Sequence, residues 1–170
     1  MTPSRFFLAQ ANVAQMRAPL TDPVMEGFRS QLERINALAD RSAGFVWRLQ
    51  TDEGDATAIR AFDDPLLLFN MSVWESLAAL HAYVYQSEHV GPLRGRRAWF
   101  HALRGPSLVL WWIPAGHTPT VAEARAKLDL LRELGPTSAA FTFRQPFPAP
   151  GAEPSRPPEV DAEFCARAPA

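Results

Sequence analysis

Tyr85 and His89 stand four residues apart in a stretch that reads as helical, which sets a phenol beside an imidazole on one face. Such a pair could pass a proton near neutral pH, and the imidazole could also ligate haem iron. The plainer account is a histidine at a helix C-terminus, favoured there by the helix dipole. Leu77 and His81 continue the same row, and a lone histidine such as His81 is more often structural. His101 and His117 lie beside Gly105-Pro106, Pro114 and Gly116 and read as surface residues. Arg94, Arg96 and Arg97 form a basic run whose guanidinium forks suit a carboxylate, a phosphate or a haem propionate. The alternative is a solvated helix face paired with the acidic residues of 52–64. Trp47 and Arg48 point to opposite sides of a strand, and an Arg48 turned into a cavity would need a partner. Asn70, Ser72 and Trp74 alternate with Phe69, Met71 and Val73. A polar pair in the middle of an apolar strand favours a pocket over a dry interface. The candidate site therefore holds His89 and Tyr85 for proton transfer. Trp47, Arg48, Asn70, Ser72, Trp74, Arg97 and Trp99 are its substrate-binding walls and polar contacts.

Other chemistries lack their motifs. The chain has no glycine-rich phosphate loop, no His-Glu-x-x-His, no nucleophile elbow and no Cys-His pairing. Cys165 is the single cysteine, so there is no intrachain disulfide or cysteine-based zinc site. The acidic loop 51–64 lacks the ligand spacing of an EF-hand, and no metal is expected. With 17 Lys+Arg against 18 Asp+Glu, the net charge of −1 supplies no field for nucleic acid or anionic membranes. No apolar run approaches the ~20 residues of a membrane span, and no signal peptide is evident, so a cytoplasmic protein is expected. Arg outnumbers Lys 16 to 1, which reads as a GC-rich coding bias.

These side chains need elements to position them. Arg5–Val13, Phe45–Leu49, Pro65–Trp74 and Ser107–Pro114 read as strands, and Thr57–Ala61 as a short extra one. Asp22-Pro23 opens an amphipathic helix with Met25, Phe28, Leu32, Ile35 and Leu38 on one stripe. A second helix covers 75–89, a further piece 92–103, and a third follows the Thr120…Glu123 capping box to Gly135-Pro136. The order is β-α-β-β-α-β with an added C-terminal helix, a ferredoxin-like α+β pattern over residues 1–147. Seven prolines in the last 25 residues, with little apolar bulk, predict a disordered tail over 148–170. Strands 66–74 and 107–114 are apolar on both faces. Burial of the second face against a twin would make a dimeric α/β-barrel, hence a homodimer.

Several motifs resemble the bacterial DUF3291 domain. They are Phe45-Val46-Trp47-Arg48-Leu49, Asn70-Met71-Ser72-Val73-Trp74-Glu75-Ser76, Tyr83 to His89, Arg96-Arg97-Ala98-Trp99-Phe100 and Leu110 to His117. The resemblance covers roughly residues 6 to 147 and implies membership of the dimeric α/β-barrel superfamily. It sets Trp47, Arg48, Asn70, Ser72, Trp74, Tyr85, His89, Arg97, Trp99 and Trp112 at shared positions. That superfamily holds cofactor-free monooxygenases, haem-degrading enzymes, haem-dependent dehydratases and plain binding proteins, so fold leaves function open. Two readings follow. One is a monooxygenase-like enzyme acting on a small apolar or aromatic molecule, with no cofactor. The other is a non-catalytic protein that holds haem or another hydrophobic ligand, with His89 as the iron ligand.

Overall fold

The structure is a computed structural model that describes residues 5–86 and 95–152. Its centre is β1 (Phe6–Met16), the longest of the described strands, with buried apolar residues such as Leu8, Ala9, Ala11 and Val13 along it. A single 3-10 turn (Pro23–Met25), α1 (Glu26–Arg29) and α2 (Leu32–Arg41) lead to the edge strand β2 (Phe45–Arg48). Then come β3 (Leu67–Trp74), α3 (Leu77–Gln86), the one-turn α4 (Arg96–Trp99) and β4 (Phe100–His101). β5 (Leu108–Pro114) and α5 (Val121–Leu134) complete the element order. The sheet runs β2-β3-β1, with β5 and β4 sharing the far edge of β1. Every described pairing is antiparallel, and β1 and β2 flank β3. With β5 as fourth strand this is the ferredoxin-like order, so the α+β expectation holds.

Four sequence readings are revised. The first helix is broken at Ser30-Gln31, where both side chains bond back to the Gly27 carbonyl. Those bonds compete with the helical ladder and let the chain turn. Residues 57–61 form no strand, and the described part of the helix expected over 92–103, from residue 95 on, is the single turn of α4 followed by β4. The fourth revision concerns the sheet's second face. Its residues Ala9, Ala11, Val13, Phe69, Met71, Val73, Val109, Trp111 and Ile113 are at most 2% exposed within one chain. Ala124, Leu128 and Leu131 of α5, with Ala61 and Phe62 from the preceding loop, cover them. Unburied apolar strands therefore give no argument for a sheet-to-sheet twin, because the added helix already does that work.

The opposite face carries Leu8, Trp74 and Leu110 against Ala39 of α2 and Leu77, Leu80, Tyr83 and Val84 of α3. After α5 the chain crosses back. Phe141 exchanges both backbone hydrogen bonds with Leu110 at 2.8 Å, and the Trp112 indole donates to the Phe147 carbonyl. Ala140, Phe141 and Phe143 are buried, so this stretch belongs to the core. Ending the chain after Ala152 should leave the melting temperature within a few degrees, whereas ending it before Ala140 should unfold the domain. Thermal melts of the two truncations check this.

α5 is anchored by its own N-terminus. Thr120 accepts from the Glu123 N–H, and Glu123 takes the Trp111 indole N–H and His117, each at 2.8 Å. Partial burial works to raise the Glu123 pKa, but the hydrogen bonds from His117 and Trp111 outweigh it and the net shift is downward. A depressed carboxyl contributes stability above its unfolded pKa, and loses it as pH falls through the folded value. Glu123→Gln should therefore flatten the acid limb of a stability–pH profile below about pH 4.5. An unchanged limb in urea melts at pH 3–5 would contradict this.

Candidate functional site

The helix-side face of the sheet is filled unevenly. Leu8, Trp74 and Leu110 at one end are sealed by α3. At the other end α1 and α2 stand off the sheet and leave an open cleft of about 180 Å³. Its walls are Phe28, Leu32 and Ile35 above, Leu68 and Ala14 below, and Trp99 and Phe100 at the end. Phe28 holds these last two, edge-on to Phe100 at 5.0 Å and tilted to Trp99 at 6.0 Å. The polar groups are few. Asn12 of β1 and Asn70 of β3 are direct cross-strand partners, so their amides lie side by side on the cleft floor. Asn70 is exposed while Phe69 and Met71 beside it are buried, so its exposure is through the cleft. Arg96 reaches the cleft from α4, half-buried, and burial pushes its guanidinium below the ordinary arginine value. No hydrogen bond or ion pair engages the side chain of Asn12, Asn70 or Arg96 among the described residues. Asp55 and Thr57 also line the cleft but are bonded to each other, both Thr57 donors falling on the Asp55 carboxylate.

A second, polar hollow of about 370 Å³ adjoins this cleft at Asn36 and Asp55. Arg48 lines it and is engaged at all three nitrogens, with Nε and Nη2 on the Asp40 carboxylate at 2.7 and 3.2 Å and Nη1 on the Gly54 carbonyl at 2.7 Å. Arg48 thus ties α2 to the loop after β2, and its charge is already paired with Asp40.

The sequence candidates divide accordingly. Asn70 and Trp99 meet in the apolar cleft. Ser72 and Trp74 share the Asn70 face, as the alternation requires, but both are buried and satisfied. Ser72 Oγ accepts from Gln10 at 3.0 Å and from the Trp74 indole at 2.9 Å. Trp47 packs on the α5 side of the sheet. Arg97 is exposed, and among the described residues its carbonyl accepts from Arg17 Nε while its side chain has no partner. Tyr85 does not line the cleft; its ring packs on His81 at 4.6 Å and Phe143 at 5.5 Å. Burial pushes the His81 imidazole below its ordinary value. His89 lies outside the described residues. Sequence reasoning missed Arg96, which it weighed and passed over for Arg97, and Asn12, which shares β1 with the amides Gln10 and Gln15 but, unlike them, has no side-chain partner among the described residues.

Haem asks for an axial His, Cys, Met or Tyr. The described lining of the cleft offers none, so these residues do not fit that group. Among the described residues no three His, Cys, Asp or Glu side chains gather as a metal site. No helix there is long and apolar enough to cross a membrane.

The chain is a ferredoxin-like α+β fold with a largely apolar cleft between helices and sheet, where two amides and a guanidinium meet no partner among the described residues. The chain belongs to DUF3291, a domain of unknown function whose family model matches residues 7–157. No curated protein matches it. Among solved structures it is similar to SnoaB, a cofactor-independent oxygenase from Streptomyces nogalater, with 19% identity, 66% of this chain and 95% of that chain covered, and a TM-score of 0.43. It is also similar to PA3566 from Pseudomonas aeruginosa, with 18% identity, 69% and 99% covered, and a TM-score of 0.41. A protein of unknown function from Nitrosomonas europaea, NE2512, gives 9% identity, 69% and 96% covered, and a TM-score of 0.42.

Proposed function

We propose that the cleft binds a small aromatic molecule carrying an anionic oxygen, and that the protein acts on it in a monooxygenase-like reaction. The observation that carries the reading is a group of unengaged polar side chains, Asn12, Asn70 and Arg96, in a cleft whose other walls are mostly apolar. Asn70 is exposed to the cleft and Asn12 and Arg96 are half-buried, so all three are open to a ligand. A ligand oxygen set between the two amides and the guanidinium would satisfy all three, while Phe28, Leu32 and Ile35 cover an aromatic body. A phenolate or enolate held this way is electron-rich and partly desolvated, which suits attack by oxygen. Oxygenation of the kind named for SnoaB is the reaction class to test first. The reading includes a homodimer, implied by the family resemblance. Sedimentation at micromolar concentration giving a stable 18.9 kDa species would overturn that part.

Two measurements test the site. Calorimetry with 1-hydroxy-2-naphthoate should show binding to the native protein, and Asn70→Ala should weaken it roughly ten- to hundredfold, as loss of a hydrogen bond to a charged oxygen of about 1.5–3 kcal/mol predicts. An oxygen electrode with 1,4-dihydroxynaphthalene should then show uptake above the uncatalysed rate. Binding without uptake leaves a non-catalytic ligand carrier. Failure to bind overturns the reading.

A further inference from the structure

We propose that Gly27 and Gly95 are the specificity-determining residues of the cleft, because they seat Trp99 at its end and so set how long an aromatic ligand it admits. This rests on the cleft being the ligand site. Neither glycine is needed for its backbone. Gly95 has φ −83°, and Gly27 lies inside α1, conformations that any residue adopts. Within a helix glycine is indeed the poorer choice. What both positions require is room. A Cβ on Gly27 would sit 2.9 Å from Trp99 Cζ2, and one on Gly95 would sit 2.5 Å from Cη2. The indole is therefore in contact with two bare backbones, one in α1 and one just before α4.

The rest of Trp99 is pinned. Its carbonyl accepts from Arg17 N–H at 2.9 Å, the adjoining Arg97 carbonyl accepts from Arg17 Nε, and Phe100 pairs with Met16. With the main chain held by the end of β1, a methyl group at either glycine would push the ring off its seat and toward the cleft that it lines. The indole would then occupy space meant for the far ring of a ligand, without touching Asn12 or Asn70 at the polar floor. Ligand length, not the polar contact, is what the two glycines control.

The test uses two acids with the same polar group and different lengths, salicylate with one ring and 1-hydroxy-2-naphthoate with two. Both are titrated by calorimetry into the full chain. Gly27→Ala and Gly95→Ala should each weaken the two-ring acid at least tenfold more than the one-ring acid. Adding Trp99→Phe to Gly27→Ala removes the clashing ring and should restore two-ring binding to the level of Trp99→Phe alone. That rescue separates a seat for Trp99 from a general structural need for glycine. It also carries the test if Gly27→Ala alone does not fold. Native protein that binds both acids, with glycine variants that bind both equally well or lose both together, overturns the proposal alone. Native protein that binds neither acid overturns the cleft reading and this proposal with it.

Discussion

Trp74→Ala should remove a large part of the domain's stability, about 3–5 kcal/mol. Trp74 is fully buried, stacked on Tyr83 at 4.9 Å and edge-on to Phe45 at 5.4 Å, and its indole N–H ends on Ser72. It joins β3, β2 and α3 at the sealed end of the helix face. Truncating such a side chain costs about 3–5 kcal/mol, from lost transfer energy and the cavity left behind. A whole domain has only about 5–15 kcal/mol to lose. Trp74→Phe keeps most of the ring contact, and Ser72 keeps its bond from Gln10, so its cost should be clearly smaller. Urea unfolding of the two variants measures both costs. A Trp74→Ala protein destabilised by less than about 1 kcal/mol would contradict the packing described for this end of the sheet.

Arg96→Ala should do the opposite, sparing the fold and removing the ligand. The guanidinium is half-buried and makes no protein contact among the described residues, so its loss removes a desolvation cost and no bond. Its worth should be read in binding. A charge-assisted hydrogen bond contributes about 1.5–3 kcal/mol, which corresponds to roughly ten- to hundredfold in affinity for 1-hydroxy-2-naphthoate. The neutral 1-naphthol should lose much less. Arg96→Lys should recover part of the effect, since the charge returns without the planar fork. The mirror experiment is Arg97→Ala. Arg97 is exposed and serves through its carbonyl, so its substitution should leave affinity unchanged. Calorimetry on the three variants decides between the two neighbouring arginines, and equal losses at 96 and 97 would count against the site.

The contrast between Arg96 and Arg97 shows where sequence reading stops. The strands were legible because their residues are β-branched and aromatic over more than one repeat. α5 was legible because Thr120, Glu123 and Gly135 mark both ends and Ala124, Leu128 and Leu131 mark one face. The face shared by Asn70, Ser72 and Trp74 followed from alternation alone. A helix of one turn carries no such pattern, so nothing in Arg96-Arg97 says which guanidinium turns inward. Alternation also places Ser72 and Asn70 on one face without saying that α3 seals one and α2 stands clear of the other. That depends on where the first helix breaks. The break comes from side chains at Ser30 and Gln31 reaching the Gly27 carbonyl, a competition that the apolar stripe through Met25, Phe28, Leu32 and Ile35 conceals.

The place of β1 has a consequence for how the chain is made. It is the first strand to be synthesised and the central one in the sheet, yet its partners come late. Leu8 pairs with Trp74, and Phe6 pairs with Pro114, more than a hundred residues downstream. At about 5–20 residues per second, an apolar strand with both edges open waits several seconds beyond the ribosome before its sheet can close. α5 and the Ala140–Phe143 stretch, which complete the two cores, emerge later still. Such non-local pairing folds slowly, because the loop must close before its contacts form. Yield in a cell should therefore depend on whether the waiting strand is shielded. Slower growth at low temperature or extra chaperone should raise soluble protein more than any single stabilising substitution.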